Sequence, residues 1–286
     1  MKVRLGYGWK EGLTKMYWLS GLFLIIILLS FATVIYMWRT AMQDRVIFQD
    51  LYFKDFPEGF GDVRIFFISD LHRRIVADKL IEEVRDKADL VIIGGDIRES
   101  GVPLERVEKN ILKLKELGPL YFVWGNNDYE GDFHELDATL LKHGVKILDN
   151  TAVSFESQYG SKIALLGIDD ISEERDRLDL ALSDCGNEGF RILVSHNPLV
   201  KNQLTPEHRI RFVLSGHTHG GQIRIFGFGP YQIGSIKKEG DCLYMTSNGY
   251  GTSAVPLRLE AKPETHLFTL KRGTVTEIGE ALEKTY

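Results

Sequence analysis

Short apolar runs alternate with amphipathic segments along most of the chain that follows Phe48. The runs are rich in branched and aromatic residues, as buried strands are, and the segments between them have apolar residues at helical spacing. In the first half, we predict strands at 63–69, 89–95 and 119–125, and helices at 78–88, 103–117 and 132–143. This alternation predicts an α/β fold built from βαβ units.

The second half of the chain begins with the same alternation and then changes to shorter apolar runs. Its apolar runs lie at 162–170, 191–198 and 212–222, followed by shorter, glycine-punctuated runs at 243–247 and 265–271. The shorter runs predict more antiparallel strand toward the C terminus. Because no repeat, low-complexity tract or proline-rich linker follows residue 60, we predict a single domain over residues 46–286.

A long uncharged segment precedes this domain, from Tyr17 to Trp38. As a helix, these residues would extend about 33 Å, enough to cross the roughly 30 Å hydrocarbon layer of a bilayer. Aromatic residues lie at both ends, where the headgroups would be. We predict that residues 1–45 form a tail, a membrane anchor at about 17–38 and a linker. A cleaved signal peptide is less favoured, because the run is long and ends in Tyr-Met-Trp-Arg.

Basic residues flank the predicted span unequally. They are Lys2, Arg4, Lys10 and Lys15 before it, and Arg39 and Arg45 after it. Basic residues favour the cytoplasmic side of a membrane. We therefore predict a single-pass protein of the cell membrane, with a cytoplasmic N terminus and an extracytoplasmic C-terminal domain.

Composition and charge narrow the function further. The 286 residues are 44% hydrophobic and 26% charged, which is typical of a chain that buries a core. The net charge is −5; residues 1–45 carry six basic and two acidic side chains, a net +4, so −9 falls on the remainder. This balance argues against a nucleic-acid partner, and an anionic substrate would need bound cations. The two cysteines, Cys185 and Cys242, form no redox or zinc motif, although a disulfide between them stays open.

Polar clusters follow five of the apolar runs: SDLH at 69–72, GGD at 94–96, GNND at 125–128, SHNP at 195–198 and SGHTHGGQ at 215–222. In open α/β sheets, ligands bind where strand ends open into loops. Seven side chains in these clusters offer oxygen or imidazole donors that suit Mn, Fe or Zn: Asp70, His72, Asp96, Asn126, His196, His217 and His219. Any one alone is more simply a cap or a hydrogen-bonding residue. Together they exceed the needs of one ion and predict a two-metal centre.

The five clusters, in this order and at these intervals, resemble the sequence blocks of the calcineurin-like metallophosphoesterases over about residues 62–272. The segment SNGYGTSAVPLRLEAKPETHLFTLK at 247–271 resembles, more narrowly, a branch of membrane-linked bacterial phosphoesterases related to UDP-2,3-diacylglucosamine pyrophosphatase. The resemblance implies a four-layer α/β/β/α sandwich that holds two divalent cations. These would be Mn, Fe or Zn, with Mn the first choice in vitro.

The resemblance also implies a role for each donor. The first metal would be held by Asp70, His72, Asp96 and His219, and the second by Asp96, Asn126, His196 and His217. Asp96 would bridge the two. The implied activity is hydrolysis of a phosphodiester or pyrophosphate bond by metal-activated water. The anchor makes a lipid-linked phosphate one candidate substrate, and the natural substrate and the oligomeric state are left open.

The chain departs from the family pattern at Asn127, where most relatives have histidine. Asparagine cannot deliver a proton, but its amide can donate a hydrogen bond to a phosphoryl oxygen. The next residue, Asp128, would either orient Asn127 or cap the following helix. We favour an enzyme whose leaving group needs little protonation, such as a phosphoanhydride. The alternative is a catalytically weakened, metal-containing binding or sensing module.

Other residues carry weaker expectations. Arg73 and Arg74, after the first cluster, would pair with substrate phosphate or remain solvated loop charges. The aromatic-glycine stretch FGFGPY at 226–231 is interpreted as a packed turn rather than a lipid groove.

Overall fold

A computed structural model describes residues 7–186 and 188–274 of the chain. Lys2 and Arg4 of the predicted cytoplasmic tail, Asn187 and the C-terminal residues 275–286 lie outside the described residues. The described chain forms two six-stranded sheets, helices on the outer faces of both, and one long N-terminal helix.

The first sheet contains the strands predicted in the first half of the chain. Its strands, in spatial order, are β1 (Val46–Phe53), β12 (Thr265–Arg272), β2 (Val63–Ile68), β3 (Leu90–Ile93), β4 (Leu120–Phe122) and β5 (Lys146–Ile147). Strands β2 to β5 are parallel to one another, whereas β12 pairs antiparallel with β2 and parallel with β1. The C-terminal ends of β2, β3 and β4 therefore lie at one edge of the sheet.

The second sheet has a parallel centre and antiparallel edges. Its strands, in spatial order, are β10 (Ser235–Glu239), β11 (Cys242–Thr246), β9 (Ile210–Ser215), β8 (Phe190–Val194), β7 (Lys162–Gly167) and β6 (Thr151–Glu156). Strands β11, β9, β8 and β7 are parallel, while the hairpin partners β10 and β6 run antiparallel to them. The prediction of antiparallel strand near the C terminus is confirmed where β11 pairs with β10 and where β12 pairs with β2, although each of the two also has a parallel neighbour.

Helices cover the outer face of each sheet. They are α2 (Asp78–Val84), α3 (Leu104–Lys115) and α4 (Phe133–Lys142) on the first sheet, and α5 (Leu178–Asp184) on the second. Short 3-10 turns complete the loops, at Glu58–Phe60, Asn126–Tyr129, Pro198–Gln203, Pro206–His208 and His219–Gly221. The predicted α/β sandwich with two sheets is thus confirmed.

Strand β2 shows why its sequence is apolar without interruption. Phe66 and Ile68 pack in the core shared with α2, α3 and α4, whereas Ile65 and Phe67 pack in the core between the two sheets. Successive side chains of a strand point to opposite faces, so a sheet that is covered on both faces needs apolar residues at every position.

The N-terminal helix α1 (Tyr7–Ala41) contains the predicted span. By length and composition, its segment Gly12–Ala41 can cross a membrane, with mean hydropathy 2.5, and the most apolar window is unburied against the rest of the described chain. Between Gly12 and Ala41, where burial is described, the last turn is the part that packs on the domain. There, Met37 and Ala41 are buried, and the carbonyl of Met37 accepts a hydrogen bond from the backbone N–H of Arg258.

Both cysteines are free and buried in the structure. Cys185 and Cys242 belong to the apolar core between α5 and the second sheet. Cys185 and Cys242 therefore do not form the disulfide that the sequence left open.

Candidate metal centre

The seven predicted donors lie at the C-terminal edges of the two sheets, in loops that follow five strands. The first sheet contributes Asp70 and His72 after β2, Asp96 after β3 and Asn126 after β4; the second contributes His196 after β8, and His217 and His219 after β9. Parallel pairing within each sheet brings these loops to one end of the sandwich.

Five of these residues have φ angles that are unfavourable for any residue other than glycine. Their φ angles lie between 49° and 70°, in the left-handed region: Asp70, His72, Asp96, His217 and His219. Such conformations persist only where surrounding contacts impose them, and they concentrate at functional sites. Here, the backbone N–H of Asp70 donates to Gly95 and that of His72 donates to Asp96, so the loops after β2 and β3 hold each other.

One group of potential ligand atoms consists of Asp70, His72 and His219. Their ligand atoms lie within 4.8 Å of one another, and all three residues are buried. The Nε2 atoms of His72 and His219 are only 3.0 Å apart, and Nε2 of His219 is 3.5 Å from Oδ1 of Asp70. Two imidazole nitrogens and a carboxylate oxygen that converge on one point suit a divalent cation.

A second group consists of Asp70, Asp96 and His196, again buried and with ligand atoms within 4.8 Å of one another. Asp70 is common to both groups. Oδ2 of Asp96 lies between imidazoles of the two groups, 3.2 Å from Nε2 of His196 and 3.8 Å from Nε2 of His72. The two groups are therefore adjacent, with carboxylates between them.

The surroundings of His196 require a positive charge at its Nε2 atom. Its Nδ1 lies 2.8 Å from the carbonyl oxygen of Gly94, which can only accept, so Nδ1 carries a proton. Its buried Nε2 finds no hydrogen-bond partner by geometry among the described residues, yet it faces the carboxylate of Asp96. A proton or a divalent cation at Nε2 supplies the missing charge, and binding the metal would release the proton. The donors thus fit the metals that the sequence implied.

Asn126 and His217 border the same cluster on its open side. Oδ1 of Asn126 lies 2.9 Å from Nδ1 of His217, and both residues are half-buried, unlike the donors behind them. The backbone N–H of His217 donates to Oδ1 of Asp70, which joins this pair to the two buried groups. All seven predicted donors therefore converge at one end of the molecule.

Charges within the cluster set the protonation of its histidines. Burial lowers the pKa of His219 well below its usual range, and the neighbouring His72 and Arg258 lower it further. Burial and His196 lower the pKa of His217. Although burial opposes it, the charge of Asp96 raises the pKa of His196. His217 and His219 are thus neutral near pH 7, which is the form that binds metal.

Asp128 holds the loops that carry the cluster through buried hydrogen bonds. Its buried carboxylate accepts hydrogen bonds from the backbone N–H groups of Asp96, Arg98 and Gly125. Burial, followed by the charge of Asp96, raises the pKa of Asp128 to about 7. Its contact with Gly125 caps the 3-10 turn at 126–129, to which Asp128 itself belongs, whereas the following helix α4 is capped by Asp132. The side chain also fixes the loop after β3 through its hydrogen bonds with Asp96 and Arg98. The sequence did not predict these contacts.

Asn127 uses its side chain within its own loop, where its Oδ1 accepts from Nδ2 of Asn126 at 3.3 Å. Its Nδ2 donates to Oε1 of Glu130 at 2.5 Å, while its backbone N–H donates to Oδ1 of Asp96 at 2.9 Å. In this arrangement its backbone holds a carboxylate of the cluster. Its amide would have to leave Glu130 before it could reach a substrate.

Two further residues hold the donors and were missed by sequence reasoning. Oε2 of Glu99 lies 3.1 Å from Nδ1 of His72, and Oε1 accepts from Arg73. Arg258 is fully buried and donates to the carbonyls of His219 and Asn248, among others, while its Nη2 lies 3.2 Å from Nδ1 of His219. Neither lies in a ligand-like cluster of the sequence, so only the fold shows their role.

Two glycines leave room for the donors. A Cβ on Gly249, whose φ is +72°, would lie 2.6 Å from Cβ of Asp70. A Cβ on Gly95, whose φ is +87°, would lie 2.5 Å from Nδ1 of His196. Both positions need glycine for torsion and for space.

This fold and this cluster define a metallophosphoesterase. The family model described as calcineurin-like phosphoesterase matches residues 63–221. That match covers more than half of the 286 residues, and the chain belongs to this family. Members are metal-dependent hydrolases that act on phosphate esters.

Individual relatives agree with this placement. The chain is 48% identical to Bacillus subtilis (strain 168) YpbG over 215 residues, which cover 74% of this chain and 83% of that protein. It is 29% identical over 238 residues to the metallophosphoesterase YkuE of the same bacterium, with coverages of 75% and 81%. It is 28% identical over 257 residues to a zebrafish (Danio rerio) protein named as a transmembrane protein with a metallophosphoesterase domain, with coverages of 82% and 59%.

Among solved structures, the sulfate thiohydrolase SoxB of Thermus thermophilus is similar in fold. The TM-score is 0.50 at 15% identity, and the match covers 80% of this chain. The chain spans 60% of the length of that structure. This likeness concerns the fold alone.

Proposed function

We propose that this protein is a membrane-anchored phosphoesterase that uses two divalent cations to hydrolyse a phosphodiester or pyrophosphate bond. The observation that carries the proposal is the convergence of Asp70, His72, Asp96, His196 and His219 into two adjacent groups of ligand atoms. A structural role alone does not explain buried imidazole nitrogens that face each other and face carboxylates.

In this proposal, each cation has its own set of donors. Asp70, His72, Asp96 and His219 hold the first, and Asp96, Asn126, His196 and His217 hold the second. The position of Asp96 Oδ2 between His72 and His196 supports its role as the bridge. Asp70, which belongs to both groups, is the other carboxylate within reach of both cations.

The open side of the cluster determines how a substrate approaches. When bound, two divalent cations supply a water of lowered pKa and positive charge for the phosphoryl oxygens. The half-buried Asn126 and His217 border the opening, so a phosphate group enters past them. Asn127 has no proton to give to the leaving group. A pyrophosphate bond, which releases a phosphate that needs little protonation, is therefore a favoured substrate, in keeping with the pyrophosphatase-like segment 247–271.

The proposed anchor would keep the metal centre close to the membrane surface, from which the substrate would come. A cavity of about 530 Å³ lies between Ala41 and Met42, at the end of α1, and Arg73 and Arg106 beside the metal-centre loops. Arg73 pairs with Glu99, and Arg106 donates to the carbonyl of Arg73; the guanidinium N–H groups that remain suit an anionic headgroup. Arg74 is neither solvated nor free for phosphate, because it stacks on Tyr250 and donates to the carbonyl of Ala41. The basic residues before the span favour an extracytoplasmic domain.

Turnover by the full-length protein in detergent tests the proposal. With Mn added, we expect hydrolysis of a chromogenic phosphodiester, and separate assays with pyrophosphate-linked and lipid-linked phosphates would define the substrate. Asp96→Asn should lower turnover at least about 100-fold, because it removes a bridging charge. The matched control is Asp241→Asn, at an exposed position of the β10–β11 turn. A folded protein that shows no turnover with Mn, Fe or Zn would contradict the proposal.

One observation favours a second function, that of a metal-containing binding or sensing module. By the family resemblance, Asn127 stands where a histidine is usual, and its amide is engaged by Glu130. A module of this kind would bind metal and phosphate ligands without turnover. Its test is the restoration of histidine at this position, which is argued in the Discussion.

A further inference from the structure

The aromatic side chains of the stretch 226–231, interpreted from sequence as a packed turn, do not pack against the domain. Phe226 is 89% exposed and Phe228 is 82% exposed, and Ile225 and Tyr231 are also exposed. From Ile225 to Gly234, the sequence has no charged side chain. An uncharged, aromatic projection of this kind is unusual on a surface that meets only water.

The projection is a tight and well-supported hairpin. The backbones of Ile225 and Phe228 exchange two hydrogen bonds, of 2.9 and 3.0 Å, so Phe226 and Gly227 form a two-residue turn. The carboxylate of Glu260 accepts from the N–H groups of both turn residues, at 3.1 and 2.8 Å. Arg224 donates to the carbonyls of Gly220 and Gly227, and so ties the hairpin to the segment that carries His219.

The aromatic residue at the tip is held at a conformational cost. Phe226 has φ 52° and Gly227 has φ 79°. A turn with positive φ at both positions favours asparagine or aspartate before glycine, and a bulky residue there is a true outlier. The fold gains no buried surface from Phe226. Its presence therefore indicates that something outside the described chain covers it.

The hairpin lies beside the end of the proposed membrane helix. The backbone N–H of Arg224 donates to Leu259, and the neighbouring Arg258 donates to Met37, within the candidate span of α1. This chain of contacts places Phe226 within roughly 20 Å of Met37. Trp38, in the last turn of α1, and Val255, three residues before Arg258, are exposed as well. This continuity with α1 favours a lipid surface over a protein partner as the occupant.

We propose that the hairpin 225–228 inserts Phe226 and Phe228 into the interfacial layer of the bilayer that α1 spans. Apolar aromatic side chains suit this layer, and the charged side chains of Glu260 and Arg224, which hold the turn, would lie at the level of the lipid headgroups. With α1, the hairpin forms a second point of attachment, which fixes the tilt of the domain and holds the His217–His219 segment next to the lipid surface. The inference rests on the proposed membrane anchor, and it makes a phosphate carried at the membrane surface the substrate within reach.

Site-directed fluorescence of the full-length protein in phospholipid nanodiscs tests this inference. Phe228→Cys and, separately, Phe226→Cys would carry an environment-sensitive fluorophore in discs of phosphatidylcholine and phosphatidylglycerol. The control is Tyr159→Cys, since Tyr159 is 84% exposed in the β6–β7 turn, at the far end of the second sheet from the metal centre. The unsubstituted protein measures the background from buried Cys185 and Cys242.

We expect blue-shifted emission at both hairpin positions, and quenching by doxyl-labelled lipid about threefold or more stronger than at position 159. Emission at both positions as water-like as at position 159 would overturn the inference. A blue shift without lipid quenching would also overturn it, because a protein surface would then cover the hairpin. Hydrolysis of the chromogenic phosphodiester in the same discs reports separately on the proposed activity, and labelling of Lys15→Cys from each side reports on the anchor.

Discussion

The carboxylate of Glu99 lies 3.1 Å from Nδ1 of His72, on the side of the imidazole opposite the metal centre. Its second oxygen accepts from Nε of Arg73. The close contact with His72 lowers the pKa of Glu99 against the opposing effect of burial, and Arg73 lowers it further, so the group is charged at neutral pH. A charged acceptor beside Nδ1 keeps the proton of His72 on that nitrogen. The lone pair of Nε2 is then directed toward a cation.

Glu99→Gln should therefore weaken metal binding. Loss of such a partner of a ligating histidine typically costs 10–100-fold in metal affinity or activity, so we expect a change of about this size. Titration with Mn and Zn under competition by a chelator measures the affinity, and turnover at saturating metal separates binding from chemistry. Glu105→Gln, on the exposed first turn of α3, is the control. Equal affinities in the two variants would exclude a role for Glu99 in orienting His72.

Gly249→Ala should displace Asp70. The new Cβ would lie 2.6 Å from Cβ of Asp70 and must adopt a φ of +72°. Gly240→Ala is the matched control, because φ is +57° there but nothing lies within 4 Å of the new Cβ. The torsion alone costs about 1–2 kcal/mol in either variant. We expect Gly249→Ala to lose clearly more stability in chemical denaturation, and metal affinity as well, while Gly240→Ala keeps its affinity.

Arg258→Lys should destabilise the protein although it conserves charge. The guanidinium reaches carbonyl groups of Asn248, Gly251, Ala261 and His219 in the buried interior. A lysine has fewer donors and a different geometry, so buried acceptors would be left unpaired. We expect a loss of about 3 kcal/mol or more. Arg177→Lys, at an exposed ion pair, should change stability by less than about 0.5 kcal/mol. Similar losses in both variants would refute this account.

Local patterns predicted the centre of the fold but not its edges. Strands β2, β3 and β4 are short, uniformly apolar runs followed by polar clusters, so both their type and their place beside the site followed from sequence. Strand β1 has two apolar triplets, one on either side of Gln49 and Asp50, and it pairs with β12, more than 200 residues away in sequence. A pairing of that kind depends on tertiary contacts and leaves no local signal.

The same division applies to the site. Donor residue types, placed at strand ends, identified the seven residues that converge. Glu99 and Arg258 act through contacts with His72 and His219 that exist only after the loops are assembled. The exposure of Phe226 reverses the packed-turn interpretation, because an apolar side chain in sequence does not reveal whether the domain covers it.

Removal of metal should lower the thermal stability of the full-length protein in detergent. Without cations, Asp70 and Asp96 are buried with their charges only partly compensated, so bound metal favours the folded state. Metal at about 100 times its dissociation constant contributes roughly 2.7 kcal/mol. Scanning calorimetry before chelation, after it, and after Mn is restored measures the shift. Asp96→Asn should reduce the response to Mn, and an unchanged response would place the bound metal elsewhere.

Asn127→His distinguishes the two proposed functions. In an active phosphoesterase adapted to a leaving group of low basicity, the added imidazole should change pyrophosphate hydrolysis by less than about tenfold, because that bond needs little help from an acid. In a binding or sensing module, the same change should raise turnover from none to a measurable rate. Asn127→Ala, which removes the contact with Glu130 but leaves the backbone N–H on Asp96, is the control for altered loop structure. Turnover of the unsubstituted protein that exceeds that of both variants would assign the asparagine amide itself a part in catalysis.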